Sequence, residues 1–244
     1  CYALFAEGSV EDIGALLTED HRNEDRRLGL GRESSDRAAA LENTRVIAGL
    51  GVNITNTPLA LRGGRLCLSH ILFEKDEAGG HGFRVETLEL TELNSSGLMG
   101  VRVVFDLEDF DAAITELDAR YLAGEAAPYA QAWAAVAGAY AAFNRREIAA
   151  TTPGWMNIDH RRGAAFAPGD MTAYLSAAWA DSPDTRIYVD AVHRLSELGA
   201  VVTHAAKGVS HAGFEAEWRD VNVLTDRPQR TVRRGRPRQC ACEI

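Results

Sequence analysis

The chain has 244 residues, 46% of them hydrophobic, and a net charge of −9. That is enough apolar mass for one large or two small packed domains, and the acidic balance argues against a nucleic-acid partner. No run approaches the roughly 18 apolar residues of a membrane span, and four scattered cysteines suit neither a disulfide scaffold nor a zinc cluster.

In chain order, "SVEDIGALL" (9–17) predicts a helix start, with Ser9 as cap and Asp12 in the first turn. Residues 34–48 predict a second helix. The period then changes. Strands are expected at about 52–61, 65–75, 83–93 and 98–105, separated by "RGG", "DEAGGHG" and "NSSG" turns. "DLEDFDAAITELDARY" returns to helix, and the Ala-rich 124–147 continues it. A short helix follows at 170–180, then strands near 185–195, 199–208 and 213–225. Helices followed by an antiparallel meander, twice over, predict an α+β fold.

The two halves also match residue by residue. Tyr2 and Phe5 match Tyr140 and Phe143 at a spacing of 138, and Asp20-His21 match Asp159-His160 at 139. Further on, Ser69-His70 pair with Thr203-His204, Gly82-Phe83 with Gly213-Phe214, and Glu86 with Glu217. Order is kept and the gaps fall in turn-like stretches, so the chain reads as two copies of one domain. The expected boundaries are 1–121, 122–225 with a leading linker helix, and a separate tail, 226–244. The chain starts at Cys1 within helix-like residues, so the first copy is expected to be truncated and the chain a fragment.

"DHRRGAAFAPGDMTAYLSAAW" and "VHRLSELGAVVTHAAKGVSHAGFEAEW" resemble the SnoaL-like branch of the nuclear-transport-factor-2-like superfamily. "LALRGGRLCLSH" and "FDLEDFDAAITELDARY" carry the likeness in copy one. The resemblance implies two tandem cone-shaped domains, each with helices packed on a curved antiparallel sheet around an apolar pocket. Relatives include polyketide cyclases, ketosteroid isomerase and ligand-binding or associative domains. Tandem copies in actinobacterial proteins are appended to larger chains, which the truncated start would suit. The working acid of the catalytic relatives is an Asp deep in the cone. No clear equivalent stands here, since Asp190 and Asp220 occur in one copy only.

The candidate site residues are mostly histidines. Asp20-His21 and Asp159-His160 are expected at the helix-to-sheet passage near the pocket mouth, where a His titrating near neutral pH can act as a base. A turn or capping role is the plainer alternative. His70 shares a strand face with Leu66 and Leu68, as His204 does with Ala200 and Val202. Each is either a pocket group or a satisfied core histidine. His193 follows the same logic on "IYVDAVHRL". Tyr140, Trp155 and Tyr174 are candidates to line a flat apolar ligand, or are simply core. His160, His204 and Asp159 are the catalytic candidates. His21, His70, Asp20, Tyr140, Trp155, Tyr174 and His193 are the ligand-binding ones. His160 and His204 are expected to share one cavity, and His21 and His70 another. No metal or cofactor site is expected: "GLGRESS" lacks the Lys of a phosphate loop and "CAC" has the wrong spacing.

The tail, "DRPQRTVRRGRPRQCACEI", carries six Arg in an acidic chain. It reads as a basic arm or as a shifted frame. Read from the second codon base, "VRRGRPR" can spell Phe-Asp-Glu-Ala-Asp-Leu-Asp, the counterpart of "FDLEDFD" at 105–111, which favours the shifted frame. The expected function is a small-molecule-binding or regulatory accessory module of a larger cytoplasmic protein. Its partners would be an apolar small molecule and a homodimer or intramolecular pseudo-dimer, with no nucleic acid and no membrane. A cofactor-free isomerase, cyclase or hydrolase with a pocket His as base, and a non-catalytic dimerisation scaffold, are the alternatives.

Overall fold

The computed structural model describes residues 10–29, 32–75, 82–160 and 163–225. The matches assigned to Tyr2 and Phe5, part of the "DEAGGHG" turn, Arg161, Arg162 and the 226–244 tail lie outside the described residues. The architecture is α+β. Helix α1 (Val10–Ala15) leads into β1 (Leu17–Asp25) and β2 (Arg32–Asp36). Helix α2 (Arg37–Gly49) starts at Asp36, whose carboxylate accepts the Ala39 N–H at 3.0 Å. An antiparallel meander follows: β3 (Asn53–Arg62), β4 (Leu66–Lys75), β5 (Phe83–Leu93) and β6 (Met99–Phe105). Helices α3 (Phe110–Ala123) and α4 (Ala130–Asn144) come next. Then β7 (Asn157–Asp159), β8 (Ala164–Phe166) and α5 (Pro168–Asp181) lead to β9 (Arg186–Ser196), β10 (Gly199–Val209) and β11 (Glu215–Thr225). Helix, two short strands, helix and meander thus occur twice in the same order.

The meanders were expected, but the pairs of strands that precede them were not. "LTEDHRNED" was placed at a helix–sheet passage, yet it is a nine-residue strand, paired parallel to β6 and antiparallel to β2. Its polar sequence lacks the alternation that marks a half-buried strand, so tertiary pairing decides its state.

Among the described residues, nine strands form one sheet in the order β11-β10-β9-β3-β4-β5-β6-β1-β2. Within each meander the pairing is antiparallel. The two meanders meet where β3 and β9 run parallel, through the single pair Leu61 and Ala191.

Strand alternation sorts the side chains onto two faces. One face carries Ala60, Leu66, Leu68, Leu88, Leu90, Val103 and Phe105, packed on Ala113, Leu117 and Tyr121 of α3 and Trp133 and Val136 of α4. Val189, Ala200 and Val202 of the second meander extend this core without a break. The opposite face is covered at the β1–β6 end by α1 and α2. The sheet is therefore covered on both faces at its β1–β6 end, which allows polar residues to be interior on either one.

Candidate functional site

The face under α1 and α2 holds a cavity of about 60 Å³. Ile13, Leu17, Ala40, Ile47, Phe73 and Met99 give it mostly apolar walls, to which Asn43 and Thr44 of α2 add polar groups, and His21, Asn23 and Arg102 give it a polar floor. Adjacent strands place the floor residues side by side: Asn23 of β1 pairs with Arg102 of β6. Arg102 Nε donates to Glu89 Oε2 at 2.8 Å, its Nη2 binds Glu89 Oε1, and its Nη1 reaches Asn23 Oδ1 at 3.3 Å. The Glu89 side chain is only 2% exposed. Bidentate pairing to a guanidinium is what permits a carboxylate at that depth. The pair cancels its own charge, so the floor is polar but carries no net charge.

His21 is 3% exposed. Its Nδ1 lies 3.1 Å from the Met99 carbonyl, which can only accept, so Nδ1 carries the proton. Burial lowers the pKa of His21, and the Arg102 and Arg37 charges lower it further, against the Met99 carbonyl and Asp20, which raise it. The ring is thus a neutral imidazole near pH 7, with a lone pair on Nε2.

A second polar group lies on the α4 side of the second meander. The Asn222 amide donates to His204 Nδ1 at 2.7 Å, and Tyr140 Oη approaches the same nitrogen at 3.2 Å. His204 Nε2 faces Asp220 Oδ2 at 3.8 Å. The Tyr140 ring meets the His204 ring edge-on, centroids 5.7 Å apart. Burial pushes the Tyr140 hydroxyl far above its ordinary pKa, so it stays a neutral phenol.

Sequence reasoning singled out His21, His204 and Tyr140, and the structure brings the last two together. It missed Asn23, Glu89, Arg102 and Asn222. The expected convergence of His21 with His70 does not occur. His70 lies on the α3 side of the sheet, with Nε2 2.8 Å from Glu86 Oε2, while His21 lies on the α2 side. His70 and His204 both lie on the sheet face turned to the central helices, His204 beside Tyr140 of α4. His70 stands opposite Leu88, and His204 opposite Asp220. The β10–β11 register differs by one residue from the one the Glu86–Glu217 match requires, so Glu86 shares the face of His70 while Glu217 lies on the face opposite His204. The other candidates are scattered. Asp20 is exposed on β1, Asp159 ends β7, and His160 is exposed on the following turn. Trp155 is half-buried before β7, and Tyr174 on α5 packs against Phe166 at 5.4 Å. The exposed His193 has Nε2 2.7 Å from the Thr203 hydroxyl. Among the described residues no cluster of His, Cys, Asp and Glu could hold a metal ion, and no helix is long and apolar enough to cross a membrane.

Fold and cavity together define a helix-covered α+β module with an uncharged polar floor. Similar to it over part of the chain is SalBIII, an epoxide hydrolase/cyclase-like enzyme of pyran ring formation in polyether salinomycin, at 19% identity and TM-score 0.36, covering 43% of this chain and 82% of that one. An NTF2-like protein of unknown function from Exiguobacterium is 13% identical with TM-score 0.32, covering 40% and 82%. A Mycobacterium tuberculosis protein in complex with estradiol-17beta-hemisuccinate is 12% identical with TM-score 0.38, covering 44% and 88%. No family model and no curated protein matches the chain.

Proposed function

We propose that this chain is a small-molecule-binding module of two copies, 1–121 and 122–225, and that the first copy holds an uncharged, mostly apolar ligand against His21 and Arg102. The observation that carries this reading is the polar floor of the cavity. The Glu89–Arg102 pair, with its deeply buried carboxylate, lies at a cavity lined by apolar residues together with His21, Asn23, Asn43 and Thr44, and offers hydrogen bonds without net charge. A charged head group would lose its hydration with no opposite charge to replace it. The cavity is about 60 Å³, well under the roughly 150 Å³ of an engineered apolar cavity that holds benzene, so it suits the head of a ligand rather than a whole ring system. His21 Nε2 is an acceptor, and the matching head group is a hydroxyl.

The matched probes 1-hexanol and hexanoate test this, since they share a tail and differ in the charge of the head. Hexanol is expected to raise the melting temperature and hexanoate to leave it unchanged. His21→Phe, which fills the floor with an apolar ring, is expected to remove the hexanol response. An equal response to both probes, or a response unchanged in His21→Phe, overturns the reading. The neutral His21 imidazole also supports a catalytic reading, with Nε2 taking a proton from a bound hydroxyl or acidic carbon. In that case His21→Gln would keep hexanol binding and lose turnover.

A further inference from the structure

The apolar walls of the cavity under α2 continue beyond it. Phe73 of β4 lines the cavity three strands away from His21 of β1. The β4–β5 ladder has no bulge and sets Val85 opposite Phe73 and Phe83 opposite Lys75, so Phe73, Val85 and Phe83 share the face under α2. On the other side of β4, Ile54 of β3 stands opposite Phe73. The helix offers a second wall. Ala40, Asn43, Thr44 and Ile47 line the cavity, and Leu50, at the end of α2, is the next residue on that stripe. The chain enters β3 three residues later, where Asn53 pairs with Glu74, so Leu50 lies at the Phe83 end of the sheet. Leu50 is 46% exposed, Val85 42% and Phe83 40%. Single exposed apolar side chains are ordinary, but these three prolong the helix wall and the sheet wall of one cavity past its end.

We propose that this track holds the tail of the ligand, and that the ligand is a long-chain aliphatic alcohol. Its hydroxyl sits at His21, and its chain runs out past Phe73 between Leu50 and the Val85–Phe83 row. The assignment rests on the hydroxyl-binding reading of the cavity and adds the tail to it. Two observations select a chain. A cavity of about 60 Å³ admits a file of methylenes and stops a fused ring system. Beyond the cavity the track lies on the face of β4, whose backbone is already paired with β3 on one side and β5 on the other. It therefore offers apolar contact and no ladder for a peptide. Lys75, opposite Phe83 on the same face, marks the polar end of the track.

Calorimetric titration of the full chain with 1-hexanol, 1-octanol and 1-decanol tests the track. Each added methylene is expected to tighten binding about two- to fourfold, the range from a half-covered to a fully buried CH₂. Phe83→Thr combined with Val85→Thr keeps strand-forming residues on β5 and makes the sheet wall polar. It should remove most of the gain between hexanol and decanol and leave hexanol binding unchanged. Far-UV circular dichroism identifies a variant that fails to fold, and Leu50→Gln, on the helix wall, then reads the same track. Decanol bound no tighter than hexanol by the natural chain, or a length dependence that persists in both variants, overturns the tail assignment and leaves the hydroxyl reading standing. No binding of any alkanol, or a His21→Phe variant that binds the whole series unchanged, overturns both.

Discussion

At the scale of single residues, His21 ties burial to pH. Its ring is held in one tautomer by the Met99 carbonyl, and burial keeps its pKa below the ordinary value of about 6.5. A histidine with a lowered folded pKa binds fewer protons when folded than when unfolded. Its contribution is complete above the unfolded pKa and is lost as pH falls through about 6.5 toward 5. Asp25 and Glu116, whose pKa values are lowered by their arginine partners, act only below the carboxylate range; Asp118, whose pKa burial raises, acts in the opposite sense, so comparison with a His21 variant is what isolates the histidine. Urea denaturation at pH 5 and pH 7 is expected to show a loss of stability on acidification that His21→Gln reduces; an unchanged slope in the variant would count against a neutral buried imidazole. His21 was legible in the sequence because histidine is rare and repeats in a matching context. Glu89 and Arg102 were not. In "TLELTEL" the leucines claim one face, and the rule of alternation sends Glu89 to solvent. Here both faces of the sheet are covered, and the second one is polar by pairing rather than by exposure.

At the scale of elements, the seven long meander strands stood out in the sequence, within one or two residues at nearly every end. Apolar alternation and Gly-rich turns decide those elements locally. Strands β1, β2, β7 and β8 escaped notice because nothing in "LTEDHRNED" or "RESSD" alternates; they are strands because β6 and each other offer ladders. The turns also fix register. Gly199 opens β10 with φ of 133°, a conformation that L side chains rarely adopt, and a Cβ there would collide with the Leu224 carbonyl of β11. Gly199 therefore sets both the β9–β10 turn and the approach of the edge strand. Gly199→Ala is expected to cost about 2 kcal/mol or more of stability in denaturant unfolding, through strain and a displaced β11. A cost near zero would mean that β11 does not lie against this turn.

At the scale of the whole molecule, the question is what joins two meanders that share a single β-bridge. Arg62, at the end of β3 and 1% exposed, occupies the seam. Its Nη1 donates to the Val189 carbonyl of β9 at 3.0 Å, its Nε binds Asp118 of α3 at 2.7 Å, and its guanidinium lies 5.0 Å from the centre of the Trp133 ring of α4. One side chain thus bridges both meanders and both central helices, where ladder bonds are fewest. Burial raises the Asp118 pKa even against the attraction of Arg62, so this carboxylate depends on its partner to remain charged. Arg62→Met removes the partner and strands Asp118, a change worth roughly 3–5 kcal/mol in comparable buried pairs. A carboxyl whose folded pKa is raised loses stability as pH rises through that pKa, so the deficit of Arg62→Met should be larger at pH 8 than at pH 5. The loss should also be uneven. Hydrogen exchange is expected to quicken first in β9 and β10, while β4 to β6 keep their protection, because the first meander retains its own core under α3. Adding Asp118→Leu should recover much of the stability, since an apolar pair leaves no buried charge behind. Uniform exchange across both meanders, or a deficit independent of pH, would show that the core alone holds the halves together and that Arg62 only fills space.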